Sequence, residues 1–158
     1  SSQMMCSNLG HKNPVIIEAI QKQAEKLTYI APGMTSRASF DAIQALRSVL
    51  PPNLAKFFFS TSGTEANEAA LKLVRQSKAP RYKILSRYRS YHGATAGAMA
   101  LTGDPRRLAW EPGLMPGVVH FLDPYRYRST FHRTNPDISE RELGLRSKAR
   151  LPRFLGAS

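Results

Sequence analysis

The stretch Lys56–Arg75 constrains the fold of this chain more than any other segment, because it changes from strand to turn to helix over a short distance. The aromatic triplet Phe57–Phe59 predicts a buried strand over residues 56–59. Ser60–Gly63 then form a polar turn. Small and apolar residues follow at the spacing of one helical face and predict a helix over residues 64–77: Ala66, Ala69, Ala70, Leu73 and Val74.

The start of this helix has the chemistry of an anion site. Ser62 and Glu65 stand at the spacing of a capping box, in which each side chain accepts a hydrogen bond from the other's backbone. The first N–H groups, near Gly63, Thr64 and Glu65, have no partner within the helix and carry the positive end of its dipole. We expect Gly63 to let the backbone bend and approach a ligand closely. A phosphate group suits such a position.

Further polar and glycine-containing segments flank this stretch in the sequence. Upstream, Asn8–His11 (NLGH) precedes a helix start at Pro14. Downstream, Ser90–Gly93 (SYHG) follows a predicted strand, Thr102–Gly103 predicts a turn, and residues 117–121 read as another strand. The order of these segments carries more information than any one of them.

Taken together, these segments resemble the class III aminotransferases, the omega-amino acid, ornithine and 4-aminobutyrate type of pyridoxal-phosphate enzymes. The resemblance covers most of residues 1 to about 135 and rests on the ordered motifs. It implies an α/β fold, namely an incomplete N-terminal part of the large domain of a fold type I transferase, with a mainly parallel sheet and flanking helices. It also implies a homodimer.

The resemblance assigns roles to individual residues. Ser62, Gly63 and Thr64 would hold the phosphate of pyridoxal 5'-phosphate, Tyr91 would stack on its pyridine ring, and His92 would stand beside the ring. The implied reaction moves an amino group from an amine or amino acid donor to a 2-oxo acid. Glu65 is expected to stabilise the helix start. Asn67 and Glu68 are expected to be scaffold or subunit contacts.

The family also needs a lysine that forms the internal aldimine and an aspartate that pairs with the pyridine nitrogen. Both come later in the family's sequences than this chain reaches, so we assign no catalytic residue and expect the chain alone to be inactive. Lys72 is expected to form an exposed ion pair with Glu68. None of the eight lysines lies in the family's context: Lys12, Lys22, Lys26, Lys56, Lys72, Lys78, Lys83 and Lys148.

The remaining periodicity predicts helices over residues 14–29, 39–50 and 95–100 and a strand over 82–87. The apolar residues of the first helix are expected to share one face, and those of the second helix are expected to point inward. Residues 1–140 are expected to form a partial cofactor-binding domain. Residues 141–158 contain five basic residues and one acidic one, and we interpret them as a basic tail outside the resemblance, either irregular or read in a shifted frame.

Each motif alone also has a structural explanation. Ser62 before a helix is ordinarily an N-cap, and residues 91–93 suit any strand end. Two other functions therefore stay open: an inactive docking or regulatory subunit of a transaminase, and a basic nucleic-acid-binding module. The second draws on the net charge of +12 and on residues 81–91 and 125–128, where basic and aromatic residues interleave.

Other features of the sequence narrow the setting. Cys6 is the one cysteine in the sequence, which excludes an internal disulfide and fits a reducing compartment. We predict a cytoplasmic protein, with a mitochondrial location left open. No metal site, membrane partner or nucleic-acid partner is expected.

Overall fold

The computed structural model describes residues 2–31, 33–123, 125–127 and 129–149. The chain divides into two compact units, Ser1–Phe57 and Phe58–Ser158. No helix in the described ranges is both long enough and apolar enough to pass through a bilayer.

The first unit contains two helices, α1 (Pro14–Lys26) and α2 (Arg37–Val49). Asn13 caps α1 through its side chain, and Ser36 caps α2 in a capping box with Ser39. The expected helices are confirmed, but the inward orientation predicted for the apolar face of α2 is wrong, because neither helix contains a buried residue. Ile20, for example, is 63% exposed. An amphipathic stripe is buried only when another layer covers it, and none does within this unit.

The second unit begins with α3 (Gly63–Ser77) and continues through β1 (Ile84–Arg87), α4 (Ala96–Leu101), a 3₁₀ helix (Pro105–Gly113) and β2 (Val118–Phe121). β1 and β2 pair in parallel, with Ile84 opposite Val118 and Arg87 opposite Phe121. Parallel neighbours need a crossover, and the segment containing α4 provides it. The predicted α/β alternation and parallel pairing are confirmed.

Helix α4 is the centre of the described core. Every residue from Gly97 to Leu101 is buried, as is Leu71 on α3. The sequence AGAMAL has no polar face, so this helix is stable only when it is covered on all sides. Ser86 of β1, which is also buried, donates its hydroxyl to the carbonyl of Leu101 at 2.5 Å. Sheet and helix are thereby joined at the point where the next loop begins.

Two helices follow β2, namely α5 (Thr130–Thr134) and α6 (Glu140–Ala149). Ile138 and Leu143 are almost fully buried in this part of the chain. The expectation of an irregular tail is wrong for residues 141–149, because they continue the helix that begins at Glu140. Residues 150–158, the rest of the predicted basic tail, lie outside the described residues. The grouping of residues 1–140 as one domain stays a prediction.

The strand predicted over residues 56–59 is wrong, because these residues belong to neither a helix nor a strand. A strand is defined by hydrogen bonds to a neighbour, and β1 and β2 pair only with each other in the described chain. The aromatic triplet therefore has the composition of a strand without a partner strand.

Candidate functional site

The turn before α3 is held by two side chains. The Ser62 hydroxyl accepts a hydrogen bond from the Glu65 N–H at 3.2 Å. The Glu65 carboxylate accepts from both the N–H and the hydroxyl of Thr61, each at 2.7 Å. Both hydrogen bonds lower the pKa of Glu65, and the one from the Thr61 hydroxyl has the larger effect. The predicted capping box is thus half correct: Glu65 reaches Thr61 rather than the backbone of Ser62, and its expected role at the helix start is confirmed.

Gly63 and Thr64 are the first residues of α3, and their N–H groups find no acceptor among the described residues. A Cβ added at Gly63 would meet no atom within 4 Å. The expected bend at Gly63 is wrong, because Gly63 has ordinary helical geometry and a negative φ. The glycine instead leaves its Cβ position open, and the unpaired N–H groups of the first helical turn are a suitable place for an anion.

The loop formed by residues 90–93, called the Tyr-His-Gly loop below, lies directly against the start of α3. Gly93 has a φ of +138°, which favours glycine. A Cβ there would collide with the Thr64 hydroxyl and would approach Thr64 Cγ2 and Ala98 Cβ to 2.8 Å. The side chain of Thr64 therefore occupies the space that only a glycine at position 93 leaves free.

Hydrogen bonds between its backbone and the side chains of Asn67 and Thr102 hold the same loop in place. The Asn67 amide donates to the His92 carbonyl at 2.7 Å. The His92 N–H donates to the Thr102 hydroxyl at 3.0 Å, and that hydroxyl donates to the Ala98 carbonyl at 3.0 Å. Thr102 is completely buried. The structure shows Asn67 as scaffold, and it brings Thr64 together with the Tyr-His-Gly loop.

The two side chains of this loop differ in exposure. Tyr91 is half exposed, at 50%. Its ring contacts the guanidinium of Arg106, whose Cζ lies 4.5 Å from the ring centroid. His92 Nδ1 is buried without a hydrogen-bond partner in the described part of the chain. Buried polar atoms normally have a partner, so this nitrogen marks a place for a polar group.

Glu68 also belongs to the scaffold. Its carboxylate accepts hydrogen bonds from the Thr95 hydroxyl and from the Ala98 N–H, the latter at 3.0 Å. Within the described residues Glu68 forms no ion pair with Lys72, so that prediction is wrong. The unpaired N–H groups at the start of α4 attract the carboxylate more effectively than an exposed lysine does.

A cavity of about 450 Å³, separate from the start of α3, adjoins β2 and the 3₁₀ helix. It is lined by His120, Arg107 and Glu111, among others. Burial, together with the Arg107 charge, lowers the pKa of His120 although backbone hydrogen bonds oppose the shift. No motif predicts this cavity, because its lining residues come from different elements.

The geometry therefore brings the start of α3, with its unpaired N–H groups, together with the Tyr-His-Gly loop. The model of the family described as aminotransferase class-III matches residues 1–149. The chain belongs to this family, and its fold is that of a fold type I pyridoxal-phosphate transferase.

Known proteins resemble the chain over most of its length. It is 36% identical over 142 residues to the uncharacterized aminotransferase YhxA of Bacillus subtilis, which covers 86% of the chain and 30% of the relative. An isoleucine 2-epimerase from Lentilactobacillus buchneri is 33% identical over 85% of the chain and 30% of its own length. The chain thus spans about a third or less of these relatives.

A solved structure gives the same result. Taurine:2-oxoglutarate aminotransferase from Bifidobacterium kashiwanohense, in complex with pyridoxal phosphate and glutamate, matches with a TM-score of 0.78 and 37% identity. The match covers 96% of the chain and 33% of that structure. The resemblance deduced from the motifs is confirmed.

Proposed function

We propose that this chain supplies the phosphate-binding part of an aminotransferase that uses pyridoxal 5'-phosphate. The observation that carries the proposal is the pair of unpaired N–H groups of Gly63 and Thr64 at the first turn of α3, with no neighbouring side chain at the Cβ position of Gly63. Family membership gives the cofactor class. The site supports it by providing a place for the phosphate and an aromatic ring beside it.

The residues at the helix start fit a phosphate. Gly63 and Thr64 would bind it through backbone N–H groups, while Ser62 completes the turn that presents them. The Glu65 carboxylate is held toward Thr61 by two hydrogen bonds. That engagement directs the carboxylate to Thr61, so it does not accept hydrogen bonds from the Gly63 and Thr64 N–H groups, which are left for an anion.

Tyr91 and His92 fit a planar ring. Tyr91 is half exposed, so a second planar group can stack on it. His92 is held through its backbone by Asn67 and Thr102.

When bound, pyridoxal 5'-phosphate supplies an electron-accepting ring for amino-group chemistry. In our proposal the chain's own residues bind and orient it, and the reaction passes an amino group from an amine or amino acid to a 2-oxo acid. No residue of this chain is assigned as the covalent lysine, so we expect no turnover by the 158-residue chain alone. A homodimer and a cytoplasmic location belong to the same proposal.

Substitution of Gly63 tests the phosphate position. Gly63→Asp in the complete gene product fills the open space with a negative charge and should weaken binding of pyridoxine 5'-phosphate at least about tenfold, measured by equilibrium titration. Pyridoxine 5'-phosphate has no aldehyde and therefore reports non-covalent binding alone. An aspartate in the first turn suits the helix dipole, so the fold should survive.

Gly113→Asp is the matched control, because a Cβ at Gly113 also meets nothing within 4 Å. It should leave the titration unchanged. Equal binding by the wild type and by Gly63→Asp would show that the phosphate lies elsewhere. Incubation of the gene product with amines and 2-oxo acids then separates amino transfer, which converts the 2-oxo acid into an amino acid, from epimerisation, which leaves the 2-oxo acid unchanged.

A further inference from the structure

The face of Tyr91 that carries Arg106 points to a role for that arginine. We propose that Arg106 is a positioning residue that holds the Tyr91 ring in the orientation needed to stack on the cofactor ring. This inference rests on the proposed function, because it concerns how the same site recognises the ring of a pyridine-containing phosphate ester.

An ion pair with Asp104 holds the Arg106 side chain in place. Its Nε donates to Asp104 Oδ1 at 2.8 Å, and its Nη2 donates to Asp104 Oδ2 at 3.2 Å. Asp104 also accepts a hydrogen bond from the Arg106 N–H at 2.9 Å. Such a two-point contact holds the guanidinium plane in one orientation, as a single contact does not.

The Arg106–Asp104 ion pair is connected to the Tyr-His-Gly loop by backbone hydrogen bonds. The Asp104 N–H donates to the Ser90 carbonyl at 3.2 Å, and the Gly103 N–H donates to the same carbonyl at 2.9 Å. Ser90 immediately precedes Tyr91. The arginine and the ring are thus anchored to one short piece of backbone, so their relative position is set locally.

The Arg106 guanidinium restrains the Tyr91 ring through direct contact with one of its faces. The Arg106 Cζ lies 4.5 Å from the Tyr91 centroid, well within the range of a cation–π interaction. A half-exposed tyrosine loses rotamer freedom when a ligand stacks on it, which weakens binding. A ring already held by Arg106 has lost much of that freedom beforehand, so more of the stacking energy appears as affinity.

Arg106 is poorly suited to be a phosphate ligand instead. Two of its N–H groups and much of its charge are engaged by Asp104. The hydrogen bonds from Arg106 lower the pKa of Asp104, so the partner stays ionised at neutral pH. The arginine should therefore affect recognition of the ring and leave recognition of the phosphate nearly unchanged.

Binding of two probes to the complete gene product tests this role. Arg106→Leu should weaken binding of pyridoxine 5'-phosphate by about three- to tenfold and binding of inorganic phosphate by less than about twofold. Arg106→Lys keeps the charge but loses the planar fork, so its effect should be intermediate. Circular dichroism checks that each variant is folded.

A double-substitution cycle separates positioning from a general effect on the fold. In a Tyr91→Leu background, Arg106→Leu should cause no further loss of pyridoxine 5'-phosphate affinity, because the ring it holds is absent. Arg37→Leu is the matched control: Arg37 also pairs with an aspartate, Asp41, and lies over an aromatic ring, that of Phe40. It should change neither titration.

The outcomes are distinct. Equal weakening of both probes would make Arg106 an anion ligand and overturn the positioning role, as would an unchanged affinity for pyridoxine 5'-phosphate. Loss of affinity that persists in the Tyr91→Leu background would also overturn it. Failure of the wild-type protein to bind either probe would instead reject the proposed function from which the inference starts.

Discussion

Two glycines at the site are needed for opposite reasons. Gly63 faces open space, and a side chain there would occupy the anion position. Gly93 faces no open space at all, because Thr64 and Ala98 fill the volume that a Cβ would need. The sequence motif contains the same residue type at both positions. Their different roles follow only from the atoms that surround each glycine in the structure.

Alanine at these two positions should give contrasting stabilities. Gly93→Ala combines a φ of +138° with contacts of 2.8 Å to Thr64 Cγ2 and Ala98 Cβ, and should lower the free energy of unfolding by about 1–3 kcal/mol. Gly63→Ala should change it by less than about 1 kcal/mol in chemical denaturation. Thr64→Ala should partly rescue Gly93→Ala. Equal effects of the two alanines would contradict the packing described here.

The lowered pKa of Glu65 predicts a pH effect. Its folded pKa lies below the usual value of 4.5, so the stabilisation is present above that pH and is lost as the pH falls through the folded pKa. Thr61→Val removes the hydroxyl donor and should raise the pKa toward 4.5. Thr61→Ser keeps the hydroxyl and should leave it lowered. NMR titration of the carboxylate measures both, and no shift in Thr61→Val would refute the assignment.

At the scale of elements, side chains of α3 hold the loop and helix that follow. Asn67 fixes the Tyr-His-Gly loop, and Glu68 binds the start of α4. Both residues lie one turn or more after the anion position, on the part of α3 that packs against α4. The helix therefore orients the two parts of the site relative to each other.

Removal of the Glu68 carboxylate tests this connection. Glu68→Ala leaves the Thr95 hydroxyl and the Ala98 N–H without their acceptor and should destabilise the second unit by about 1–3 kcal/mol. Glu68→Gln keeps an acceptor oxygen and should cost less. Hydrogen exchange at the Ala98 amide is the direct readout, and unchanged protection in Glu68→Ala would exclude the contact. Lys72→Ala is the control and should have little effect.

The sequence predicted the elements well where local signals determine them. Apolar periodicity and Pro14 at the helix start placed α1, and the order of motifs identified the family. It failed where a distant partner decides the result: residues 56–59 pair with no strand, and Glu68 prefers α4 to the nearby Lys72. Arg106 was missed because its stacking on Tyr91 depends on a turn through Asp104.

At the scale of the molecule, apolar exposure and net charge act in opposite directions. Phe58 and Phe59 are 64% and 54% exposed, and the sheet of the described chain has two strands. Such surfaces favour association between copies. The net charge of +12 opposes it by mutual repulsion. The balance between these forces depends on salt, because salt screens the repulsion and leaves the apolar attraction in place.

Association of the 158-residue chain should therefore increase with ionic strength. Sedimentation velocity should show larger species at about 0.5 M salt than at about 0.05 M, because the screening length shortens severalfold over this range. Phe58→Ser with Phe59→Ser should reduce the effect, whereas Arg87→Ala with Arg89→Ala should enhance association at low salt.

A nucleic-acid-binding module would behave in the opposite way: its complexes with single-stranded oligonucleotide would weaken as salt rises, and the arginine substitutions would abolish them. A monomer at every salt concentration, with cooperative unfolding, would show that the exposed apolar faces do not drive association.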